Sequence, residues 1–135
     1  MDSDDNSGAI RVVAIDDSAL FLKSVRELLM EHKRVELVGC ATGGLDGIEL
    51  IKRVAPDLAL IDLAMPGMNG LETTQQIQRK DGLPRVLMMS AHQGDELRRA
   101  ALAAGADAFV DKRDLHDELN RLVVEWFGPP DTEQA

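Results

Sequence analysis

The chain has 135 residues, which suits a single domain, and 44% of them are hydrophobic, enough to bury a core. A formal net charge of -9 argues against nucleic acid as a direct partner, because binding phosphates needs a basic surface. Cys40 is the only cysteine, so no intrachain disulfide can form, and no apolar run approaches the roughly 18 residues of a membrane span. The composition therefore predicts a cytoplasmic protein without a direct membrane or nucleic-acid partner.

Both ends of the chain are polar. The first residues are acidic and small, unlike a signal peptide, and we expect residues 1–9 to form a disordered acidic leader. Residues 128–135, GPPDTEQA, are turn-forming and polar, and we expect a flexible tail or the start of a linker. The predicted domain covers residues 10–127, and the sequence leaves open whether it stands alone or belongs to a longer regulator.

In the first half of the chain, short apolar runs alternate with longer amphipathic stretches. Ile10–Ile15 is the first predicted strand, and Ser18 then offers an N-cap to a helix. The apolar residues of that helix recur at helical spacing: Phe21, Val25, Leu28 and Leu29. Val35–Ala41 is the second predicted strand, and Pro56 closes the second helix. The apolar stripe of the second helix is Leu45, Ile48, Ile51 and Val54.

The second half continues the alternation. Leu58–Ile61 is the third predicted strand, Gly70–Arg79 the third helix and Arg85–Ser90 the fourth strand. The fourth helix is rich in alanine, and Gly105 is expected as its C′ residue. Its stripe is Leu97, Ala101 and Ala104. Ala108–Asp111 is the fifth strand, and the last helix follows it. The stripe of that helix is Leu115, Leu119, Leu122, Val123 and Trp126.

Five strand–helix alternations predict right-handed crossovers and a parallel sheet that is covered on both faces. The nearly continuous apolar strands agree, because a strand covered on both sides has no polar face. The predicted fold class is α/β: a doubly wound, five-stranded parallel sheet of the (βα)5 flavodoxin-like type, with strand order 2-1-3-4-5.

Charged and hydroxyl side chains follow the ends of the predicted strands. Asp16 and Asp17 follow the first strand and Asp62 the third, while Ser90 ends the fourth and Lys112 follows the fifth. In such a sheet, ligands bind beyond the carboxyl ends of the strands, where the strand order reverses. Three acids crowded there would repel one another unless a cation lay among them, and Mg²⁺ is the natural choice because it takes carboxylate and phosphate oxygens.

A carboxylate can also be a nucleophile that forms an aspartyl phosphate. Phosphoryl transfer needs mainly positioning and neutralisation of the phosphoryl oxygens. Mg²⁺, the Lys112 ammonium and the Ser90 hydroxyl would supply that neutralisation. The residues therefore predict that Asp62 is a phosphate acceptor, with the Pro-Gly loop that follows it shaping the rim of the site.

Four motifs together resemble the receiver domain of two-component response regulators, over about residues 10–127. They are IDDS, IDLAMPGMNGLE, MMSAH and GADAFVDK, each at an expected strand end. The resemblance implies a phosphorelay signalling domain in which a histidine kinase or phosphotransfer protein phosphorylates Asp62. It also implies that the domain removes its own phosphoryl group with an in-line water, so the mark is temporary.

The resemblance implies a metal site and a switch. Mg²⁺ would be held by Asp16, Asp17 and Asp62, with Asp17 the expected direct ligand of the first pair. The backbone carbonyl of Ala64 would complete the protein ligands.

Ser90 would move toward the phosphoryl group and Lys112 would pair with it. Phe109 would be the aromatic switch residue. The two switch residues, Ser90 and Phe109, would remodel the face built from the fourth helix, fifth strand and fifth helix. That face would contact an output protein or domain, or form a dimer.

The chain departs from the family pattern after its lysine. Arg113 follows Lys112 where the family often has a proline in a cis peptide, and a cis bond before a non-proline residue costs about 2.5–4 kcal/mol. We therefore expect a trans bond here. The resemblance also implies that Ala64 and His92 influence how long the phosphoryl group lasts.

Taken one at a time, these residues also fit ordinary roles, such as a helix-start charge pair, a turn former, a strand-end cap or a solvated lysine. A phosphatase of the haloacid-dehalogenase type would need a second acid where Ala64 stands. A flavin carrier would need aromatic flanks, and the chain has no Tyr and one Trp. A phosphorylation-independent interaction module remains the alternative. We expect no enzymatic activity beyond the domain's own phosphorylation and dephosphorylation.

Overall fold

The computed structural model describes residues 8–92 and 94–130 of the chain. The strands are β1 (Ile10–Ile15), β2 (Val35–Ala41), β3 (Leu58–Asp62), β4 (Arg85–Ser90) and β5 (Ala108–Asp111). They form one parallel sheet in the order β2-β1-β3-β4-β5, which confirms the predicted topology. The expected leader and tail fall largely on residues 1–7 and 131–135, which lie outside the described residues.

The helices alternate with the strands along the chain. They are α1 (Ala19–Met30), α2 (Gly44–Val54), α3 (Gly70–Gln75), α4 (Asp95–Ala103) and α5 (Leu115–Phe127). Ser18 caps α1 as predicted, because its hydroxyl accepts the backbone N–H of Phe21 at 3.1 Å. Gly105 follows α4 with a φ of 114°, the left-handed region that favours glycine, which confirms it as the C′ residue.

The sheet separates two hydrophobic clusters because successive side chains of a strand point to opposite faces. Leu60 lies in the cluster that α1 and α5 cover, together with Val25 and Leu119. Ile61, the next residue of β3, lies in the cluster on the other face, which includes residues of α2 and α4. The central strands are buried on both faces, and the parallel order brings their carboxyl ends to one edge of the sheet.

The predicted third helix, Gly70–Arg79, is too long, because α3 ends at Gln75. Thr73 and Thr74 stand in its last turn, and β-branched residues are weak helix formers. The chain then runs without regular structure to a reverse turn between Lys80 and Leu83, which exchange two backbone hydrogen bonds. Asp81 and Gly82 give that turn its two positive φ angles, and a helix cannot continue through them.

The stripe predicted for α2 is wrong at Leu45, whose side chain is 67% exposed. Gly44 and Gly47 lie on the buried face instead. A Cβ at Gly47 would come within 2.6 Å of a side-chain carbon of Ile15, so α2 can approach β1 this closely only without a side chain there. The contact of α2 with the sheet therefore combines these two glycines with the buried apolar residues Ile48, Leu50 and Ile51.

The turn after β5 is a short 3₁₀ helix, Lys112–Asp114. The cis peptide bond recorded among the described residues is Leu83–Pro84, and the Lys112–Arg113 bond is trans, as expected. In the part of the chain that the structure describes, no helix has both the length and the apolar character needed to cross a bilayer.

Candidate functional site

The carboxyl edge of the sheet collects the predicted site residues. Asp62 is the last residue of β3, which lies between β1 and β4. Asp16 follows β1 and continues the pairing with β2 by one residue, because its N–H donates to the carbonyl of Ala41 at 3.1 Å. Ser90 ends β4, and Lys112 follows β5. Parallel strands thus bring together side chains that are up to 96 positions apart in sequence, from residue 16 to residue 112.

The three carboxylates form one cluster. Asp16, Asp17 and Asp62 each offer an oxygen, and these oxygens all lie within 4.8 Å of one another. Asp16 and Asp62 are buried, whereas Asp17 is exposed at the mouth of the cluster. Asp16 is held by its Oδ1 atom, which accepts the N–H of Ser18 at 2.8 Å. One carboxylate is therefore fixed at the base of the site, and one is open to solvent.

Lys112 places its ammonium group against this cluster. Nζ lies 2.7 Å from Oδ2 of Asp16 and 3.5 Å from Oδ1 of Asp62. The contact with Asp16 is an ion pair that lacks hydrogen-bond alignment, so that buried oxygen has no hydrogen-bond partner among the described residues. The same ammonium lies 4.3 Å from the centre of the Phe21 ring, a cation–π distance. One positive charge thus faces two buried negative charges and an aromatic surface.

The charge state of Asp62 depends on its surroundings. The pKa of this carboxyl rises from its ordinary value of 3.8 to about 6, first because burial disfavours the charged form and second because the Asp16 carboxylate repels it. Lys112 lowers the pKa, and so does the N–H of Ala64, which donates to Oδ1 of Asp62 at 3.4 Å. Without a further cation, the negative charges of the cluster are incompletely neutralised.

The donor set fits a hard divalent cation such as Mg²⁺, which takes oxygen ligands. Oxygen atoms of three carboxylates converge, and within residues 8–92 and 94–130 the buried Oδ2 of Asp16 has no hydrogen bond to satisfy it. Bound positive charge would relieve the repulsion that raises the pKa of Asp62. Ala64 lies exposed at the rim of the site, two residues after Asp62, and its role as a carbonyl ligand stays a prediction.

The predicted switch residues lie beside the cluster on β4 and β5. Ser90 is buried, and its Oγ accepts the N–H of His92 at 3.0 Å. Phe109 pairs in register with Met88 and is buried in the cluster on the α2 and α4 face. The guanidinium of Arg98 lies 5.6 Å from the centre of the Phe109 ring. The structure brings Ser90 to the site edge and keeps Phe109 further along the sheet, and their joint rearrangement stays a prediction.

The loop after Asp62 is anchored by its glycine and its cap. The N–H of Gly70 donates to the carbonyl of Leu63 at 2.8 Å, and a Cβ at Gly70 would overlap the backbone oxygen of Asp62. Asn69 and Glu72 form a capping box at the start of α3, on either side of Gly70 in the chain. The loop therefore packs against the backbone that carries the Asp62 carboxylate, which agrees with its predicted role at the rim.

Phe21, Asp111 and Arg113 belong to the surroundings of the site, and the sequence interpretation gave none of them that role. Phe21 was predicted only as part of the apolar stripe of α1, and it faces the Lys112 ammonium. Asp111 is buried and binds Arg113 through both carboxylate oxygens. A sequence signal existed for Asp111, because it is the only charged residue in an otherwise apolar strand and directly precedes Lys112.

Comparison with known proteins agrees with this geometry. A family model described as the response regulator receiver domain matches residues 12–123. A protein-glutamate methylesterase/protein-glutamine glutaminase of Geobacillus kaustophilus (strain HTA426) is 41% identical over 122 residues, which cover 88% of this chain and 35% of that protein. The nitrate/nitrite response regulator protein NarL of Escherichia coli (strain K12) is 36% identical over 107 residues, which cover 79% of this chain and 50% of NarL.

Two solved structures show the same fold. The response regulator domain of Thermotoga maritima CheB has a TM-score of 0.78 and 27% sequence identity, and the match covers 91% of this chain and 99% of that one. The signal receiver domain of NarL from Mycobacterium tuberculosis has a TM-score of 0.77 and 38% identity, and the match covers 87% and 94% of the two chains. By contrast, this chain spans only about a third to a half of the length of the two curated relatives.

Proposed function

The chain belongs to the response regulator receiver domain family of two-component systems, and we propose that Asp62 is the residue that accepts its phosphoryl group. One observation carries this proposal. The carboxylates of Asp16, Asp17 and Asp62 meet the Lys112 ammonium at the carboxyl edge of a parallel sheet. The position of Asp62 at the end of the central strand, between the other acids and the ammonium, favours it as the nucleophile.

The proposed reaction moves one phosphoryl group. A carboxylate oxygen of Asp62 attacks the phosphorus of a phosphohistidine on the donor protein. The new P–O bond forms as the P–N bond breaks, and its electron pair leaves with the donor imidazole. Later a water molecule attacks the same phosphorus, the P–O bond to Asp62 breaks, and inorganic phosphate and the carboxylate are released.

The surrounding residues would neutralise and orient the phosphoryl oxygens. Lys112 already lies 3.5 Å from Asp62, so its ammonium can pair with an oxygen of the acyl phosphate. Ser90 can donate its hydroxyl hydrogen, because the N–H of His92 occupies only an acceptor site of Oγ. Asp16, Asp17 and the Ala64 carbonyl would hold Mg²⁺ together with Asp62, and the bound cation would supply further neutralisation of phosphoryl charge.

Phosphorylation would act through Ser90 and Phe109 on the face formed by α4, β5 and α5. The acyl phosphate carries about two negative charges where the carboxylate carried one, and it adds strong hydrogen-bond acceptors, which can reposition a nearby hydroxyl. Arg98, which stacks on Phe109, connects that ring to the solvent-exposed surface of α4. If Ser90→Ala left partner binding fully dependent on phosphorylation, this coupling would be wrong.

The wider role concerns the proteins that the domain contacts. Receiver domains interact with histidine kinases or phosphotransfer proteins and with output domains, and a receiver domain fits a regulator rather than an enzyme. We propose that residues 10–127 act in this way in the cytoplasm, without direct contact to nucleic acid or membrane. Any enzymatic activity would be limited to the domain's own phosphorylation and dephosphorylation. A dimer through the α4, β5 and α5 face is a further possibility for the same surface.

The test is intact mass after incubation with Mg²⁺ and a small phosphodonor such as acetyl phosphate. We expect one phosphoryl addition to the wild-type chain and none to Asp62→Asn, because the amide is not a nucleophile. Asp46→Asn, which changes an exposed acid on α2, is the matched control and should label normally. Wild-type protein that stays unlabelled, under conditions that label another receiver domain, would leave two explanations: a strict requirement for the cognate donor, or a phosphorylation-independent module. Measuring Mg²⁺ binding would then separate them.

A further inference from the structure

Asp111 and Arg113 form a clasp around the residue between them, Lys112. Oδ1 of Asp111 accepts the backbone N–H of Arg113 at 2.8 Å and its Nε at 3.1 Å. Oδ2 of Asp111 accepts from a terminal guanidinium nitrogen at 2.8 Å. A fork with two oxygens and two nitrogens is the strongest and most directional form of a carboxylate–guanidinium contact. Both the backbone and the side chain of Arg113 are therefore fixed to one carboxylate.

The two partners differ in their exposure. The Asp111 side chain is 2% exposed, whereas that of Arg113 is 77% exposed. An exposed ion pair by itself contributes little to stability. A buried carboxylate, however, is costly unless hydrogen bonds satisfy its oxygens, and Arg113 supplies three of them. The clasp is thus anchored in the sheet, because Asp111 is the last residue of β5 and pairs in register with Ser90.

The clasp flanks Lys112 on both sides along the chain. The chain must turn at the end of β5 for the Lys112 side chain to reach Asp16 and Asp62 at the centre of the site. The turn is the 3₁₀ helix Lys112–Asp114, and Asp111 is its N-cap. Asp111 and Arg113, the two neighbours of Lys112 in the chain, are hydrogen-bonded to each other. The Cα of Lys112 therefore has little freedom to move.

We propose that Asp111 and Arg113 are positioning residues that hold the Lys112 ammonium against the acidic cluster for phosphoryl transfer. This inference rests on the proposed function, because it assigns Lys112 to the phosphoryl group. The clasp acts through Lys112 and touches neither Asp16 nor Asp62 among the contacts described above.

The main test compares Arg113→Ala, Arg113→Lys and wild type by the rate of phosphorylation from acetyl phosphate at saturating Mg²⁺. Small misplacements of a catalytic group cost large factors in rate, so we expect Arg113→Ala to lower the maximal rate about threefold to tenfold. The half-saturating concentrations of acetyl phosphate and Mg²⁺ should stay unchanged. Arg113→Lys should restore part of the rate, because its ammonium can still pair with Asp111.

Arg121→Ala is the matched control. Arg121 is also an exposed arginine in ion pairs, with Glu118 and Glu125 on α5, and it does not contact Lys112. We expect its rate to equal that of wild type. Asp111→Asn is a second variant that keeps an oxygen for the N–H of Arg113 and removes the charge, and its rate should lie between those of Arg113→Ala and wild type.

A second readout does not depend on phosphorylation. Limited acetylation of the lysines, followed by peptide mass spectrometry, measures the reactivity of Lys112 relative to the exposed Lys52. We expect Arg113→Ala to raise that ratio about threefold, because a released ammonium leaves its ion pairs more often. An unlabelled wild type would count against the proposed function and would leave the clasp to be decided by the acetylation readout. Unchanged phosphorylation and unchanged Lys112 reactivity in Arg113→Ala would refute the clasp.

Discussion

Asp16 and Asp62 are two buried acids that share one ammonium, that of Lys112. Stability alone does not account for their positions, because buried like charges raise the free energy of the folded state. The pKa of Asp62 is raised to about 6, first by burial and second by repulsion from Asp16. A bound cation, alone or together with a phosphoryl group, would therefore relieve the repulsion between the carboxylates of the site.

The first prediction concerns Asp62 in metal-free protein. Its pKa is higher in the folded chain than its ordinary 3.8, so the folded state binds the proton more tightly than the unfolded state. The stability from this group is fully present below about pH 4 and is lost as the pH rises through about 6. Allowing for screening by water, Asp62→Asn should be more stable than wild type at pH 7 by about 1–2 kcal/mol.

Urea unfolding in EDTA, from pH 4 to pH 7, measures this difference. The difference in the free energy of unfolding between Asp62→Asn and wild type should increase as the pH rises between those limits. A gap that stays constant over this range would show that Asp62 does not titrate with a raised pKa. Glu49→Gln, which changes an exposed acid on α2, controls for the loss of one negative charge.

The second prediction concerns the ring of Phe21. A cation–π pair at 4.3 Å between this ring and the Lys112 ammonium should contribute about 0.5–1 kcal/mol beyond packing. A double-mutant cycle with Phe21→Leu and Lys112→Met isolates that coupling, because each single change removes only one partner. Thermal unfolding of the four proteins gives the coupling energy. Additive effects of the two substitutions would mean that the ring only fills space.

At the scale of elements, the contact of the α3 start with the end of β3 decides where Asp62 is held. Gly70 begins α3 and lies so close to the Asp62 carbonyl that no side chain fits there. Asn69 fixes the direction of the helix through its capping box with Glu72. A short helix of six residues is sufficient for this purpose, since its first turn makes the contact.

The third prediction follows from that contact. Gly70→Ala should destabilise the domain by about 1–3 kcal/mol, because the new methyl group meets rigid backbone rather than a flexible side chain. It should also slow phosphorylation by shifting Asp62. Gly43→Ala is the control: Gly43 has extended backbone, and its Cβ would meet nothing within 4 Å. If Gly70→Ala and Gly43→Ala showed equal urea midpoints, the close contact at Gly70 would not matter.

At the scale of the whole molecule, we expect a net charge of -9 and an acidic cluster at one sheet edge to make the folded domain responsive to cations. Only the folded chain brings residues 16, 17 and 62 together, so an ion that they hold binds the folded state and not the unfolded one. Such an ion must raise the unfolding temperature by mass action. Non-specific screening of the surface charges would add a smaller effect, common to all salts.

The fourth prediction is that Mg²⁺ stabilises the domain. At about one hundred times its dissociation constant it should raise the free energy of unfolding by about 2.7 kcal/mol. Asp17→Asn should lose most of this gain, whereas Asp46→Asn on α2 should keep it. Thermal unfolding across a Mg²⁺ series at constant ionic strength is the measurement. An equal response of wild type and Asp17→Asn would remove Asp17 from the metal site.

Much of this molecule follows from local sequence. The apolar runs of β1 to β5, the cap at Ser18 and the C′ residue Gly105 were predicted because they depend on neighbours along the chain. The strand order and the meeting of the acids also followed, since alternating strands and helices allow few topologies. The family was recognisable because its motifs stand at strand ends, and the family match over residues 12–123 confirms it.

Other features depend on contacts between distant segments, and only the tertiary structure decided them. The exposure of Leu45 depends on how closely α2 approaches the sheet, and helical spacing alone does not contain that information. The ring of Phe21 reaches Lys112 from a position 91 residues away, as the two residue numbers show. The raised pKa of Asp62 also depends on the tertiary structure, because folding first buries this carboxyl away from water and second places it beside the Asp16 carboxylate.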